Sequence, residues 1–148
     1  MKKLVFIALF AILSCSGAYA ADEVFERLMN TKCFKCEFGP GASASWDGPR
    51  VKVELDAFNN TLIYDSIDVR AGTARIIGNQ GSADVLVLQT PQGLTFIETT
   101  AMGNITITTI FPEYLKDGSD FIVVQSRHMN LPSGPLPSQY HGTCKVWE

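Results

Sequence analysis

A succession of short apolar segments separated by turn residues constrains the fold of this chain more than any other feature. From Arg50 onward, the segments with the length and composition of β-strands are Val51–Leu55, Leu62–Asp68, Thr73–Ile77, Asp84–Gln89, Leu94–Thr99, Asn104–Ile110, Phe121–His128 and Tyr140–Trp147. Most connections between them are short, whereas parallel pairing of neighbouring strands needs a crossover of about a dozen residues. The sequence therefore predicts a mainly β, antiparallel meander of about eight strands.

This meander is predicted to form a single barrel-like domain over residues 21–148, a length that suits one domain. An open meander leaves exposed strand edges, and closure into an up-and-down barrel removes them. A two-sheet sandwich is the second choice. The segment Val85–Leu88 is apolar at every position, which predicts a strand covered on both faces.

One short helix and two loops are predicted outside these strands. Residues Asp22 to Asn30 place their apolar side chains on one face, which predicts a helix that plugs the core. The segment Gly39–Gly48 is rich in small residues, and Asn130–Gln139 contains three prolines. Both compositions are typical of loops.

The first 20 residues have the features of a signal peptide. Lys2 and Lys3 precede an apolar run over residues 4–13, and residues 18–20 read Ala-Tyr-Ala, a typical cleavage site. The apolar run is too short to span a bilayer, which takes roughly 20 residues. The sequence therefore predicts export, to the periplasm or as a secreted protein. An alternative is a lipoprotein anchored through Cys15.

The charge of the remaining chain argues against two classes of partner. The full chain has 12 basic and 15 acidic residues; without Lys2 and Lys3, 10 basic residues face 15 acidic ones, a net charge near −5. A mildly acidic domain has no electrostatic reason to bind nucleic acid or an anionic membrane surface. We expect neither partner, and no transmembrane segment after cleavage.

Three cysteines remain once the leader is removed, namely Cys33, Cys36 and Cys144. In an oxidising compartment, one structural disulfide and one odd thiol are expected. The chain-entropy model gives about 4.8 kcal/mol for a bond that closes the long loop from Cys36 to Cys144, against about 1.9 kcal/mol for the short loop within the pair. We therefore predict a Cys36–Cys144 disulfide, with Cys33–Cys144 next. The leftover Cys33 is a candidate for a disulfide-linked dimer.

Three other interpretations of the cysteines are weaker. Cys33 and Cys36 together with His141 and Cys144 have the composition of a tetrahedral zinc site, but His141 and Cys144 would point to opposite faces of a regular strand. Redox chemistry would need the pair at the start of a helix, where none is predicted. Haem attachment needs a histidine at the position of Glu37. No metal or cofactor is predicted.

Candidate functional residues are few. The best candidates to contact a ligand are Arg127, whose guanidinium matches a carboxylate, together with His128 and Trp46. Ser126 and His128 lie two residues apart and could form a nucleophile and base, but no nucleophile elbow surrounds the serine. A polar strand end explains this pair more simply.

These features favour a non-enzymatic β-domain that binds a small apolar or amphipathic ligand in the mouth of its barrel. One alternative is a structural or interaction module of the cell envelope that has no ligand cavity. Another is a hydrolase that uses Ser126 and His128. We predict no catalytic residue, and a filled barrel interior would favour the interaction module.

Overall fold

The computed structural model describes residues 16–100, 102–114 and 120–148. Within these residues the elements in chain order are α1 (Ser16–Asn30), β1 (Phe34–Asp47), β2 (Arg50–Ala57), β3 (Thr61–Asp68), β4 (Thr73–Gly78), β5 (Gly81–Thr90), β6 (Gly93–Thr99), β7 (Ile105–Tyr114), β8 (Phe121–Leu131) and β9 (Gly134–Val146). Helix α1 begins inside the last residues of the predicted leader. The rest of that leader, with Cys15, lies outside the described residues.

The strands form a closed antiparallel barrel, as the sequence predicts. Each strand from β3 to β8 pairs with the next one, and β1 pairs with both β3 and β9 and so closes the sheet. The extra strand, β2, pairs with the second half of β1. The barrel therefore has eight strands, and β2 is an addition at its rim. The two-sheet sandwich does not form.

Both predicted loops are strands, and this is the main correction to the sequence analysis. All of Gly39–Gly48 except Gly48 itself belongs to β1, because its backbone pairs with β2 on one side and, at residues 41–43, with β9 on the other despite its small side chains. A two-residue turn joins β1 to β2, and Gly48 takes the positive φ of 57° that such turns favour. Asn130–Gln139 is likewise a hairpin of β8 and β9, with only residues 132 and 133 in its turn.

Side chains fill the barrel interior. The largest fully buried ones are Tyr64, Phe34, Phe96, Phe121, Leu28, Ile67, Leu94 and Ile110. The Tyr64 ring stacks on Phe96 with centroids 4.2 Å apart, and its hydroxyl donates to Thr108 Oγ1 at 2.9 Å. Gln125 Nε2 donates to the same oxygen at 3.2 Å, so these buried polar groups are satisfied within the core. Burial raises the pKa of the Tyr64 hydroxyl, which therefore stays neutral.

Helix α1 closes one end of the barrel. Leu28 is fully buried in the core, and Val24 and Met29 pack against it. The chain then turns into β1 through Lys32, whose ammonium donates to the Ile67 carbonyl at 3.2 Å. Because β1 starts beside α1 and runs away from it, the β1–β2 hairpin lies at the opposite end of the barrel.

The pairing of β1 with β9 is the seam of the barrel, and a disulfide crosses it. Cys36 and Cys144 lie directly opposite each other in the register, are both fully buried and are bonded, as predicted. The strands approach so closely here that a Cβ on Gly142 would collide with the Glu37 carbonyl oxygen. The disulfide joins residues 108 positions apart and so ties the first strand to the last.

Candidate functional site

The three predicted ligand-binding residues do not all lie on one face of the sheet. Arg127 lies on the inward face of β8, two residues after the buried Gln125, while His128 is exposed on the opposite face. Trp46 lies near the tip of the β1–β2 hairpin and is half-exposed, opposite Val51 in the register. Arg127 therefore does not share a face of the sheet with the other two, and ligand binding by this set stays a prediction.

Arg127 is part of an aromatic cluster at the barrel mouth. Its guanidinium lies 4.9 Å from the centroid of Phe58, a geometry that gives a cation–π attraction. The Phe58 ring lies 5.3 Å from Tyr140 and 6.1 Å from Phe38. These rings cover the mouth at the point where the β1–β2 hairpin leaves the barrel.

Asp56 of β2 connects the hairpin to this cluster. Its carboxylate accepts a hydrogen bond from the Tyr140 hydroxyl at 2.7 Å and another from the Ala57 N–H at 2.8 Å. These bonds, the Tyr140 bond first, lower the pKa of Asp56, with smaller contributions from Ser43 and Arg127. The carboxylate is therefore ionised at neutral pH and holds the base of the hairpin against the barrel.

Ser126 and His128 have the environment of a polar strand surface. Ser126 Oγ accepts a hydrogen bond from Gln139 Nε2 at 3.1 Å. A hydrolase site would also need a carboxylate beside the histidine, but Asp68 accepts from the backbone N–H groups of its own turn, and Asp120 lies 3.7 Å from Lys145. Neither contact directs a carboxylate towards His128.

Cys33 remains a free thiol in the oxidised protein and is partly buried. Burial, with a smaller effect of the Asp65 carboxylate, raises the pKa of this thiol and so lowers its thiolate fraction. The disulfide removes Cys36 and Cys144 from the alternative zinc set. Among the described residues, no group of three or more His, Cys, Asp or Glu side chains is placed to hold a metal ion.

A shallow depression of about 540 Å³ lies on the outer wall of the barrel, across β4, β5 and β6. Its lining includes Leu86, which is 59% exposed, and Ile97, its partner in the register. Val85 and Val87 are buried, so β5 is covered on its inner face only. The prediction that both faces of Val85–Leu88 are covered is wrong, because α1 lies at the barrel end and not against this wall.

The β1–β2 hairpin is the second exposed apolar surface. Every residue of β2 is exposed, and its sequence alternates between apolar and charged side chains. On one face lie Trp46, Val51, Val53 and Leu55, the last two being 68% and 95% exposed. On the other face, Lys52 and Glu54 form an ion pair of 2.8 Å. We call this element the edge hairpin.

The edge hairpin also presents unpaired backbone. Asp47 and Arg50 flank its two-residue turn and form a hydrogen-bonded pair, and such pairs alternate along an antiparallel ladder. The N–H groups of Arg50, Lys52 and Glu54 thus point to β1, whereas those of Val51, Val53 and Leu55 point away from it. In the described part of the chain, the only strand that pairs with β2 is β1.

Sequence reasoning found β2 as a strand but not the role of its surface. Alternation in a strand normally indicates a core-facing apolar side. Here β2 continues past the rim of the barrel, so that side faces solvent. No local sequence pattern distinguishes the two cases, because the position of β2 outside the barrel depends on closure by the other eight strands.

In the residues that the structure describes, no helix is long and apolar enough to cross a membrane. Comparison with protein-family models, with curated proteins and with solved structures finds no match for this chain.

Proposed function

We propose that the protein is a non-enzymatic interaction module, a rigid barrel that binds a strand of another polypeptide along the free edge of β2. The observation that carries this proposal is the exposed edge of β2, with outward N–H groups at Val51, Val53 and Leu55. Addition of a strand to an open sheet edge is a common mode of protein recognition. The apolar side chains beside that edge supply additional contact area.

The packed interior supports a binding role over a reaction. Tyr64, Phe96 and Gln125 occupy the space in which a barrel would hold a ligand. The contacts of Asp68 and Asp120 direct neither carboxylate towards Ser126 and His128, so we place no reaction on this pair. In binding modules, a packed core commonly holds an exposed binding element in place, and here the edge hairpin is such an element.

A photo-activated cross-linking residue at position 53 tests the proposal in cells that express the full-length chain. We expect the variant with this residue in place of Val53 to form a covalent adduct with another protein chain. The control places the same residue at Gln92, an exposed turn position at the α1 end of the barrel. Adducts at both positions, or at neither, would contradict the proposal.

A second candidate function is the binding of a small apolar or amphipathic ligand in the depression on β4, β5 and β6. It is favoured by the exposed Leu86 in a hollow of about 540 Å³, a volume within the usual range for ligand sites. Native mass spectrometry of the purified protein would detect a retained ligand, and Leu86→Glu is expected to abolish retention. Retention by that variant, with loss in an Arg127→Ala variant, would place the ligand at the barrel mouth.

We also propose that the protein is exported, to the periplasm or as a secreted protein. The leader pattern of residues 1–20 and the Cys36–Cys144 disulfide support this location, because disulfides persist in oxidising compartments. The mass of the protein from the exported fraction is expected to correspond to a chain that starts at Ala21. A chain that starts at an acylated Cys15 would instead identify a lipoprotein.

A covalent dimer through Cys33 stays a prediction. The raised pKa of this thiol disfavours it, because disulfide formation proceeds through the thiolate. Electrophoresis of the exported protein without reductant would show such a dimer directly, and Cys33→Ser is expected to remove it.

A further inference from the structure

We propose that the strand which pairs with the free edge of β2 is the β2 strand of a second copy of this chain. This inference rests on the proposed function, since it names the partner of the same edge. The residues from Arg50 to Asp56 read Arg-Val-Lys-Val-Glu-Leu-Asp. Positive charges precede Val53 and negative charges follow it, so the strand is complementary to itself when it is reversed.

An antiparallel pair related by a two-fold axis at Val53 uses this complementarity. Lys52 then lies opposite the partner's Glu54, and Arg50 lies opposite the partner's Asp56. On the other face, Val51 lies opposite the partner's Leu55, and Val53 opposite the partner's Val53. Opposite charges and paired apolar side chains both stabilise directly opposed positions of an antiparallel sheet.

The directions of the backbone N–H groups favour the same two-fold axis at Val53. The N–H groups of Val51, Val53 and Leu55 point outward, and they become hydrogen-bonded pairs in this register. The available edge ends on both sides of them: Pro49 has no N–H, and the Ala57 N–H is already bonded to Asp56 Oδ1. The free donors are therefore placed symmetrically about Val53.

The charges also exclude the neighbouring registers. A two-fold axis at Lys52 would place Lys52 opposite the partner's Lys52, and an axis at Glu54 would place two Glu54 carboxylates opposite each other. Like charges in opposed positions are destabilising. An axis between two residues would oppose apolar to charged side chains and would turn N–H groups away from their acceptors.

Charged side chains on an edge strand often serve to prevent pairing. In β2 they instead limit pairing to one partner in one register. Asp56 can take part because Tyr140 and Ala57 hold its carboxylate in the ionised form beside the edge. The result is a continuous sheet in which the order of strands is β1, β2, the partner's β2 and the partner's β1.

Charge reversal followed by mixing tests this dimer. In a Cys33→Ser background, which excludes a disulfide link, sedimentation equilibrium of the purified full-length protein is expected to show a monomer–dimer equilibrium. Lys52→Glu and Glu54→Lys should each raise the dissociation constant at least about tenfold, because each opposes like charges twice. An equimolar mixture of the two variants restores opposite charges at every position. We expect it to dimerise again, with one copy of each variant.

Amide hydrogen exchange in the Cys33→Ser protein provides a measurement that does not depend on charge reversal. The amides of Val51, Val53 and Leu55 are expected to exchange more slowly as the protein concentration rises, while that of Ala57 stays unchanged. Monomeric protein at all concentrations would overturn the homodimer, and so would a mixture that fails to associate. A monomer whose position 53 still cross-links to a different protein would leave the proposed function standing and assign the edge to that partner.

A third result would overturn the inference in favour of a lipid surface. Monomeric protein that floats with phosphatidylcholine vesicles, and that stops doing so when Val53 and Leu55 are replaced by serine, would assign the apolar face of the edge hairpin to a membrane. Dimeric protein that does not float, with slowed exchange at the three outward amides, supports the homodimer.

Discussion

Two hairpins extend from the barrel at the end opposite α1, and they differ in the residues at the outward-facing positions of their open edges. In the β8–β9 hairpin, pairing with β1 ends at Ser43 and Ser138, so residues 134–137 of β9 have an unpaired edge within the described chain. Pro135 and Pro137 lie opposite Asn130 and His128, at the non-hydrogen-bonded positions whose nitrogens face that edge. Each proline removes a donor that another strand could use.

In the edge hairpin, the equivalent positions are Val51, Val53 and Leu55, all of which keep their N–H groups. One hairpin thus has prolines at the outward positions and the other has β-branched and aliphatic residues. Proline is a recognised way to block an edge. The difference indicates that the exposure of β2 is specific to that strand, since the same sheet blocks its other open edge.

The largest expected effect on stability comes from removing the disulfide between β1 and β9, the strands that belong to the two hairpins. The Cys36→Ser/Cys144→Ser double variant removes the bond between β1 and β9. We expect it to lower the free energy of unfolding by up to about 4.8 kcal/mol, measured by urea denaturation. Cys33→Ser is the matched control and should change the stability little. A loss well under about 2 kcal/mol in the double variant would mean that the seam holds without its disulfide.

The next effect tests the close contact at the same seam. Gly142→Ala places a methyl group against the Glu37 carbonyl oxygen, and the strands must move apart to accept it. We expect a loss of about 1–3 kcal/mol in the free energy of unfolding. Gly39→Ala is the control, because a Cβ there meets no atom within 4 Å. Equal losses in both variants would contradict close packing as the cause.

A third test places a proline at an outward position of β2, as in β9. Val53→Pro removes an outward N–H but no hydrogen bond to β1, since Val53 and Ala44 form a non-hydrogen-bonded pair. We expect self-association to weaken at least about tenfold in sedimentation equilibrium, a change of about 1.4 kcal/mol. Lys52→Pro is the contrasting variant: it removes a donor to β1 and should destabilise the hairpin itself. Unchanged association of Val53→Pro would exclude edge pairing.

The reverse change opens the edge of β9. Pro135→Val and Pro137→Val together restore two outward N–H groups beside the seam. We expect new self-association that is weaker than that of β2, because this edge lacks self-complementary charges. Light scattering across a concentration series would detect it, with Pro132→Val as the control in the turn. No increase would mean that the prolines have another role.

The architecture was predictable from sequence because strand length and turn spacing leave few alternatives for short antiparallel connections. A disulfide from the Cys33/Cys36 pair to Cys144 was predictable because loop entropy favours the long loop over the loop within the pair by about 3 kcal/mol. Loop entropy does not separate Cys36 from Cys33, and it is the strand register that places Cys36 opposite Cys144. The strand β1 was missed because Gly39–Gly48 has low intrinsic β propensity. Its extended backbone is held by β2 on one side and by β9 on the other, and β9 is distant in sequence.

The candidate site was less accessible to sequence reasoning. Arg127 was identified as a functional side chain, but its contact with Phe58 depends on how the hairpin leaves the barrel. The surface of β2 was missed because Val51–Leu55 has the same alternation as a core strand. Whether such a strand faces a core or solvent depends on the closure of the barrel, which no local pattern specifies.

The smallest expected effect concerns the contact that holds the edge hairpin against the barrel. Hydrogen bonds, the one from Tyr140 first, lower the pKa of Asp56 below its usual value of 3.8. The contact therefore contributes stability above the unfolded-state pKa, and this contribution is lost as the pH falls through the lower folded-state pKa. Tyr140→Phe removes the largest cause of the shift. We expect urea unfolding of this variant to depend less on pH below about 4 than that of the wild type.

Tyr64→Phe, which removes a hydroxyl remote from Asp56, should leave the acid dependence unchanged. An identical pH dependence in wild type and Tyr140→Phe would show that the Tyr140–Asp56 bond does not couple the hairpin to the barrel. The edge hairpin would then be positioned by the pairing of β2 with β1 and not by its contact with β9.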